Sequence, residues 1–118
     1  MSKKYLIVSH NGEIVSNECE NANTVIRRFF GLMHRRGMPE GHGLLLEPCN
    51  QIHTFNMHFD IDVITMDGDN KVLAVFNSVP PWKCKKAVKG GRKVLELNAK
   101  EAEKFNIKCG DVLDIAEA

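Results

Sequence analysis

The chain has 118 residues, of which 43% are hydrophobic and 26% charged, and its formal net charge is +1. This length is usual for one domain, so we expect a single domain over residues 1–118. The composition excludes a disordered chain. The near-neutral charge excludes a molecule that is strongly basic or acidic throughout, so any preference for charged partners must come from local clusters.

The cysteines and the N-terminus predict a cytoplasmic protein. The four cysteines, Cys19, Cys49, Cys84 and Cys109, are far apart and form no CxxC pair, unlike a zinc ribbon. The first apolar run is shorter than the ~7–15 residues of a signal-peptide core. No stretch reaches the ~18 apolar residues of a membrane span. We therefore expect reduced thiols and no membrane partner.

The chain begins with a predicted β-hairpin. Tyr5–Val8 is an apolar run and Glu13–Val15 is a second short strand. The Asn11-Gly12 pair between them favours a tight turn, because both residue types accept a positive φ at low cost.

A helix is predicted next. Asn21 or Asn23 can cap its first turn, and Gly37 and Pro39 end it. The apolar residues that recur at helical spacing are Val25, Ile26, Phe29, Phe30 and Met33.

The second half of the chain reads mainly as strands. Asp67 to Asn70 predicts a hairpin loop, and Asn98 can cap a short helix over Ala99–Phe105. The predicted strands are Leu44–Leu46, Ile61–Met66, Val72–Phe76, Val94–Leu97 and Val112–Ile115. We predict an α+β fold: a compact, curved antiparallel sheet or small β-barrel, with one main helix packed on it and a short second helix.

Several short motifs, in order, resemble the DUF 192 (UPF 0127) family of uncharacterised small proteins over residues 20–115. They are A-x-T-x-x-x-R-x-x-G-L-M-x-R from Ala22 to Arg35, Gly43 to Leu45, Ile52 to Met57, Ile61 to Val63 with Asp67, Pro80 to Trp82, Val94 to Leu97 and Gly110 to Val112. Two stretches depart from the family pattern: Asn70 replaces a turn glycine, and Asn98-Ala99-Lys100 replaces Pro-Ala-Gly. The resemblance implies a compact, β-rich α+β domain and transfers no activity.

The segment from Cys49 to Asp62 is rich in groups that carry chemistry. His53, Asn56 and Asp62, with Arg28 from the predicted helix, would supply the few polar groups of a small-molecule pocket. The alternative is a buried structural network in which Arg28 pairs with Asp62 or Glu96. Our preferred hypothesis is a non-enzymatic ligand-binding or accessory domain with a small polar pocket.

The same segment allows an enzyme as the rival hypothesis. Cys49 would be the nucleophile, His53 its base, and Asp62 the group that orients the base. Zinc would accept Cys49, His53, His58 and Asp62, but no paired spacing supports this set, so we expect no metal and no cofactor.

A third hypothesis is an anion or nucleic-acid binder. Residues 71–93 hold seven cations, and no acid lies between Asp69 and Glu96. Trp82, after two prolines, could stack on a sugar ring or a base, or could plug the end of the core. Overall neutrality argues against a dedicated nucleic-acid binder, so we expect a small-molecule ligand as the partner instead.

Overall fold

The computed structural model describes residues 5–24, 32 and 35–118. The described elements are seven strands and one short helix. They are β1 (Leu6–His10), β2 (Glu13–Ala22), β3 (His42–Leu46), β4 (Ile61–Met66), β5 (Val72–Val79), β6 (Lys93–Asn98), α1 (Glu101–Lys104) and β7 (Asp114–Glu117).

The seven strands form one mixed sheet in the order β5-β4-β6-β3-β2-β1-β7. β2 and β3 pair in parallel, whereas the other neighbours pair antiparallel. An isolated β-bridge joins Lys71, just before β5, to Val112, shortly before β7. This bridge links the chain at the two outer strands of the sheet. The backbone amide of Val72 also donates to the carbonyl of Asp111, at 2.7 Å.

The predicted α+β fold with an antiparallel sheet is wrong. The described residues are nearly all sheet, and the helix among them has four residues. The main helix predicted over residues 25–33 lies almost wholly outside the described residues. The parallel pair arises because about 20 residues separate Ala22 from His42, enough for the crossover that parallel strands need.

The short second helix also differs from its prediction. Asn98 belongs to β6 and does not cap the helix; its side-chain amide donates to the carbonyl of Met38, at 2.8 Å. The helix starts after Lys100, which adopts a left-handed backbone. Asn106, with φ 54°, lies just past its end, so the helix is limited to about one turn.

The two hairpin turns are confirmed. Asn11 (φ 51°) and Gly12 (φ 81°) join β1 to β2 in the left-handed conformation. Between β4 and β5, Asn70 is left-handed (φ 65°), at the position where the resemblance in the sequence implies a glycine. Its short polar side chain lowers the cost of that conformation.

Apolar side chains cover both faces of the sheet. Successive residues of a strand point to opposite faces, so Ile64 and Met66 join one cluster with Cys19. Ile61 and Val63 join a second cluster on the other face. Burial raises the pKa of the Cys19 thiol to about 12, which keeps it protonated. No helix within the described ranges is long and apolar enough to cross a membrane.

Candidate functional site

Two extended segments, residues 50–55 and 82–88, pair as a short antiparallel ribbon beside the second core cluster. The amide of Thr54 donates to the carbonyl of Lys83 at 2.8 Å, and the amide of Lys85 donates to the carbonyl of Ile52 at 3.1 Å. These bonds flank the bridge between His53 and Cys84. His53 and Cys84 therefore face each other as a non-hydrogen-bonded pair of the antiparallel ladder. In such pairs the Cα atoms lie about 4.5 Å apart and the side chains are adjacent.

Thr54 fastens the two segments together from the buried side. Its side chain is fully buried, and its hydroxyl donates to the carbonyl of Pro80 at 2.7 Å. The same hydroxyl accepts the amide of Lys83 at 2.8 Å, while the carbonyl of Thr54 accepts the amide of Trp82 at 3.0 Å. A buried residue therefore fixes the backbone on both sides of Trp82.

Three rings stack on the outer side of the ribbon. The rings of His53 and Phe55 are 4.8 Å apart between centroids, and those of Phe55 and Trp82 are 5.9 Å apart, with interplanar angles of 26° and 28°. Trp82 is 63% exposed and Phe55 40%. We call His53, Phe55 and Trp82 the ring platform. An exposed ring at the end of a stack, here Trp82, offers a surface for a further ring.

The backbone around the ring platform adopts an uncommon conformation. Trp82 has φ 65° and Asn56 has φ 62°. A bulky residue rarely adopts this region, because its Cβ crowds the backbone. For Trp82 the hydrogen bonds to Thr54 hold the conformation in place. Strained backbone of this kind concentrates at functional sites.

The polar groups beside the platform are partly committed to local hydrogen bonds. Nδ1 of His53 accepts the amide of Phe55 at 3.2 Å, so the proton of a neutral imidazole lies on Nε2. The side-chain amide of Gln51 lies 3.8 Å from the exposed sulfur of Cys84. Nε2–H of His53 therefore remains as a donor next to the stacked rings.

The predicted site residue Asp62 lies on the other face of the sheet. Its side chain is fully buried and accepts the amides of Ser78 at 2.8 Å and Ala102 at 2.9 Å. Ala102 belongs to the first core cluster, whereas Ile52, next to His53, belongs to the second. The structure therefore does not bring Asp62 together with His53. Arg28 lies outside the described residues.

The predicted nucleophile Cys49 is also separate from His53. Its thiol donates to the carbonyl of Gln51 at 3.1 Å. The bridge between His53 and Cys84 makes Cys84 the thiol beside His53. Among the described residues no group of three or more His, Cys, Asp or Glu side chains could hold a metal ion. His58, which the predicted zinc set included, is exposed.

A buried carboxyl lies elsewhere, in the second core cluster. Glu96 on β6 pairs with Leu44 on one side and Val63 on the other. Burial raises its pKa to about 8, against a smaller lowering by Arg35. Its Oε2 atom has no hydrogen-bond partner in the described part of the chain. Burial therefore favours the neutral form of this carboxyl.

Sequence reasoning selected His53, Asn56 and Trp82 and missed Phe55, Thr54 and Cys84. The available signal was alternation: in an extended segment, residues 53 and 55 point to one side and 54 to the other. An exposed phenylalanine two residues from His53 fits that pattern. The pairing of residue 53 with residue 84 is long-range, and no local pattern predicts it.

Comparisons with known proteins agree with the family resemblance. The family model DUF192, described as "Uncharacterized ACR, COG1430", matches residues 6–115, which confirms the resemblance seen in the sequence. No curated protein matches the chain.

Two solved structures are similar to this chain. A protein of unknown function from Novosphingobium aromaticivorans has 23% identity and a TM-score of 0.81, over 92% of this chain and 82% of that one. A putative transcription regulator from Sinorhizobium meliloti has 22% identity and a TM-score of 0.79, over 96% of this chain and 93% of that one. At this identity the likeness concerns the fold alone.

Proposed function

Because the chain belongs to the DUF192 family, which is described only as uncharacterised, we propose its function from the geometry of the site. We propose a non-enzymatic binding domain that holds a ring of its ligand against the exposed ring of Trp82, which stacks on Phe55. The ligand lies on the ring platform, and not in a polar pocket that includes Asp62, since that carboxylate points to the other face of the sheet.

The observation that carries the proposal is the exposure of two stacked aromatic side chains on a fixed backbone. The described residues have four exposed large hydrophobic side chains, and two of them, Phe55 and Trp82, are in this stack. Grouped apolar exposure of this kind marks binding surfaces, whereas single exposed residues need no explanation. Because Thr54 already holds the loop, a ligand pays little ordering entropy.

The local chemistry favours binding over nucleophilic catalysis. A nucleophile needs a base within hydrogen-bond reach, and Nδ1 of His53 already accepts the amide of Phe55. The thiol of Cys49 donates to a backbone carbonyl. The groups that remain are ring faces and the Nε2–H donor, which suit recognition of a planar ligand.

The chain's single tryptophan makes the test direct. Trp82 is the only tryptophan, so intrinsic fluorescence reports on the ring platform alone. We expect adenosine, which has a planar neutral base, to quench this fluorescence in a saturable titration. Phe55→Ala should weaken the binding about 5-fold or more, since a stacked ring contributes on the order of 1 kcal/mol.

The matched control is Val112→Ala, which removes another exposed apolar side chain (57% exposed) away from the platform. It should leave adenosine binding unchanged. A neutral disaccharide serves as a second ring probe, since sugar rings also stack on tryptophan. If neither adenosine nor the disaccharide quenches Trp82, or if both variants behave alike, the proposal fails.

We also propose that the protein works in the cytoplasm. Cys84 and Cys109 are exposed free thiols. Exposed thiols persist in reducing compartments. Cell fractionation with an antibody against the native protein tests this, and recovery in an oxidising compartment would contradict it.

A further inference from the structure

Building on the proposed function, we infer that the ligand of the ring platform is single-stranded nucleic acid. Its bases would stack on Trp82, which Phe55 supports from within the ring platform, and its phosphates would contact the cations that follow Trp82 in the chain. The inference rests on the proposed stacking at the ring platform. It adds contacts between the phosphates of the ligand and cations of the chain.

The cations of the chain are concentrated in the sequence segment that contains Trp82. The 118 residues carry 16 lysines and arginines and 15 acids. Of the cations, seven lie in residues 71–93, a stretch without a single acid. They are Lys71, Lys83, Lys85, Lys86, Lys89, Arg92 and Lys93. Although the net charge of the chain is near zero, residues 71–93 are strongly basic. They include residues 82–88, one of the two segments of the ribbon.

Four of these cations are available for a ligand. Lys83, Lys86, Lys89 and Arg92 are exposed, and within the described ranges no carboxylate pairs with them. Lys93 differs, since its Nζ bonds Asn70 at 2.7 Å and lies 4.0 Å from Glu47. Exposed, unpaired cations beside stacked rings are the combination that binds single strands without sequence preference.

A cleft at the far end of the ribbon extends the basic surface. It has a volume of about 240 Å³, and Cys49, Asn50 and Arg92 contribute to its lining. The extended chain from Asn50 to Phe55 covers roughly 17 Å. A strand with bases on the ring platform can therefore run along the ribbon toward Arg92.

The exposed rings favour a single strand over a duplex. Only unpaired bases offer free faces for stacking, whereas the bases of a duplex are already stacked on each other. The side chains of Phe55 and Trp82 are exposed, so splayed bases can reach the end of the stack at Trp82. Because every base has such a face, the binding should depend little on sequence.

The test titrates the full chain with oligothymidylate of about 12 nucleotides and follows Trp82 fluorescence at several salt concentrations. We expect quenching and an affinity that falls with salt. For four phosphate contacts the slope of log K against log salt is about −3. Phe55→Ala should weaken binding about 5- to 100-fold.

Charge variants separate the local cations from overall charge. Lys86→Gln should reduce the steepness of the salt slope by about 0.7, whereas Lys108→Gln, at an exposed lysine outside residues 71–93, should not change it. Inorganic polyphosphate, which has phosphates without bases, should bind more weakly and leave the fluorescence unchanged. A duplex of the same length should also bind more weakly.

Each contrary result has a distinct meaning. If adenosine quenches Trp82 but oligothymidylate binds no more tightly, the nucleic-acid inference is wrong and the proposed ring-binding function stands. If polyphosphate or duplex binds as tightly as oligothymidylate, or if Phe55→Ala has no effect on oligonucleotide binding, the inference is also wrong. If no probe quenches Trp82, both proposals fail.

Discussion

The carboxylate of Asp62 accepts the backbone amide of Ala102 in a buried hydrogen bond of 2.9 Å, and so ties the centre of the sheet to α1. Its other oxygen accepts the amide of Ser78 at the end of β5. The residue before the helix, Lys100, gives no side-chain cap. Asp62 therefore satisfies an amide at the helix start that would otherwise be buried without a partner.

Asp62→Asn should destabilise the fold by about 2–4 kcal/mol, because an amide side chain cannot accept from both backbone donors and one is left unsatisfied. Urea unfolding followed by Trp82 fluorescence measures this. The matched control is Asp60→Asn, at an exposed carboxylate two residues earlier, for which we expect a change within about 0.5 kcal/mol. Equal losses in both variants would contradict the role of Asp62.

Stability should decrease as pH rises from about 4.5 to 8, because of Glu96. Burial raises its pKa from 4.5 to about 8, so within this window the folded protein holds a proton that the unfolded chain has released. The folded state therefore loses stability as pH rises, on the order of a few kcal/mol, and the loss is complete above the folded pKa. Urea unfolding at intervals from pH 5 to 9 measures the slope.

Glu96→Gln removes the titration and keeps a side chain of similar shape. The variant should lack most of the pH dependence and should be more stable than the parent protein above pH 8. Glu103→Gln, at an exposed carboxylate, should keep the parent profile. A slope that persists in Glu96→Gln would contradict this assignment.

The predicted strands overlap all of the observed ones, but the sequence did not predict how the strands are arranged. The last strand, predicted over Val112–Ile115, lies at Asp114–Glu117. Apolar runs and the Asn11-Gly12 turn located the strands, since these signals are local. β2 extends to Ala22 through polar residues that local pattern does not mark as strand. Two of these polar residues are buried because each has a polar partner. The hydroxyl of Ser16 donates to the carbonyl of Gly41 at 2.8 Å, and the carboxylate of Glu20 pairs with Arg35.

The candidate site shows the same limit. His53 and Trp82 were recognised by residue type, and the structure places both in one stack. Asp62 was assigned to the same site because it is close in sequence, yet the alternation of β4 directs it to the opposite face. That alternation is readable from the sequence, whereas the pairing of residue 53 with residue 84 is not, because contacts between distant segments leave no periodic signal.

Gly91→Ala should destabilise the protein by about 1–3 kcal/mol through overpacking. A Cβ at this position would lie 2.9 Å from Cβ of Asn50, Cγ2 of Thr65 and the carbonyl of Val88. Gly68→Ala is the matched control, since no atom lies within 4 Å of the added carbon. Thermal unfolding of the two variants measures the difference, and a loss no larger for Gly91→Ala than for Gly68→Ala would contradict the close packing.

Thr54→Val should loosen the ring platform without changing the size of the buried side chain. Valine cannot accept the amide of Lys83 or donate to the carbonyl of Pro80, and two unsatisfied buried groups cost about 1–3 kcal/mol each. Amide exchange at Lys83 and adenosine quenching of Trp82 measure the effect: exchange should accelerate and binding should weaken. Thr54→Ser keeps the hydroxyl and should retain slow exchange and binding. If valine and serine give the same exchange rate, the hydroxyl does not hold the loop, and the preordered ring platform loses its physical basis.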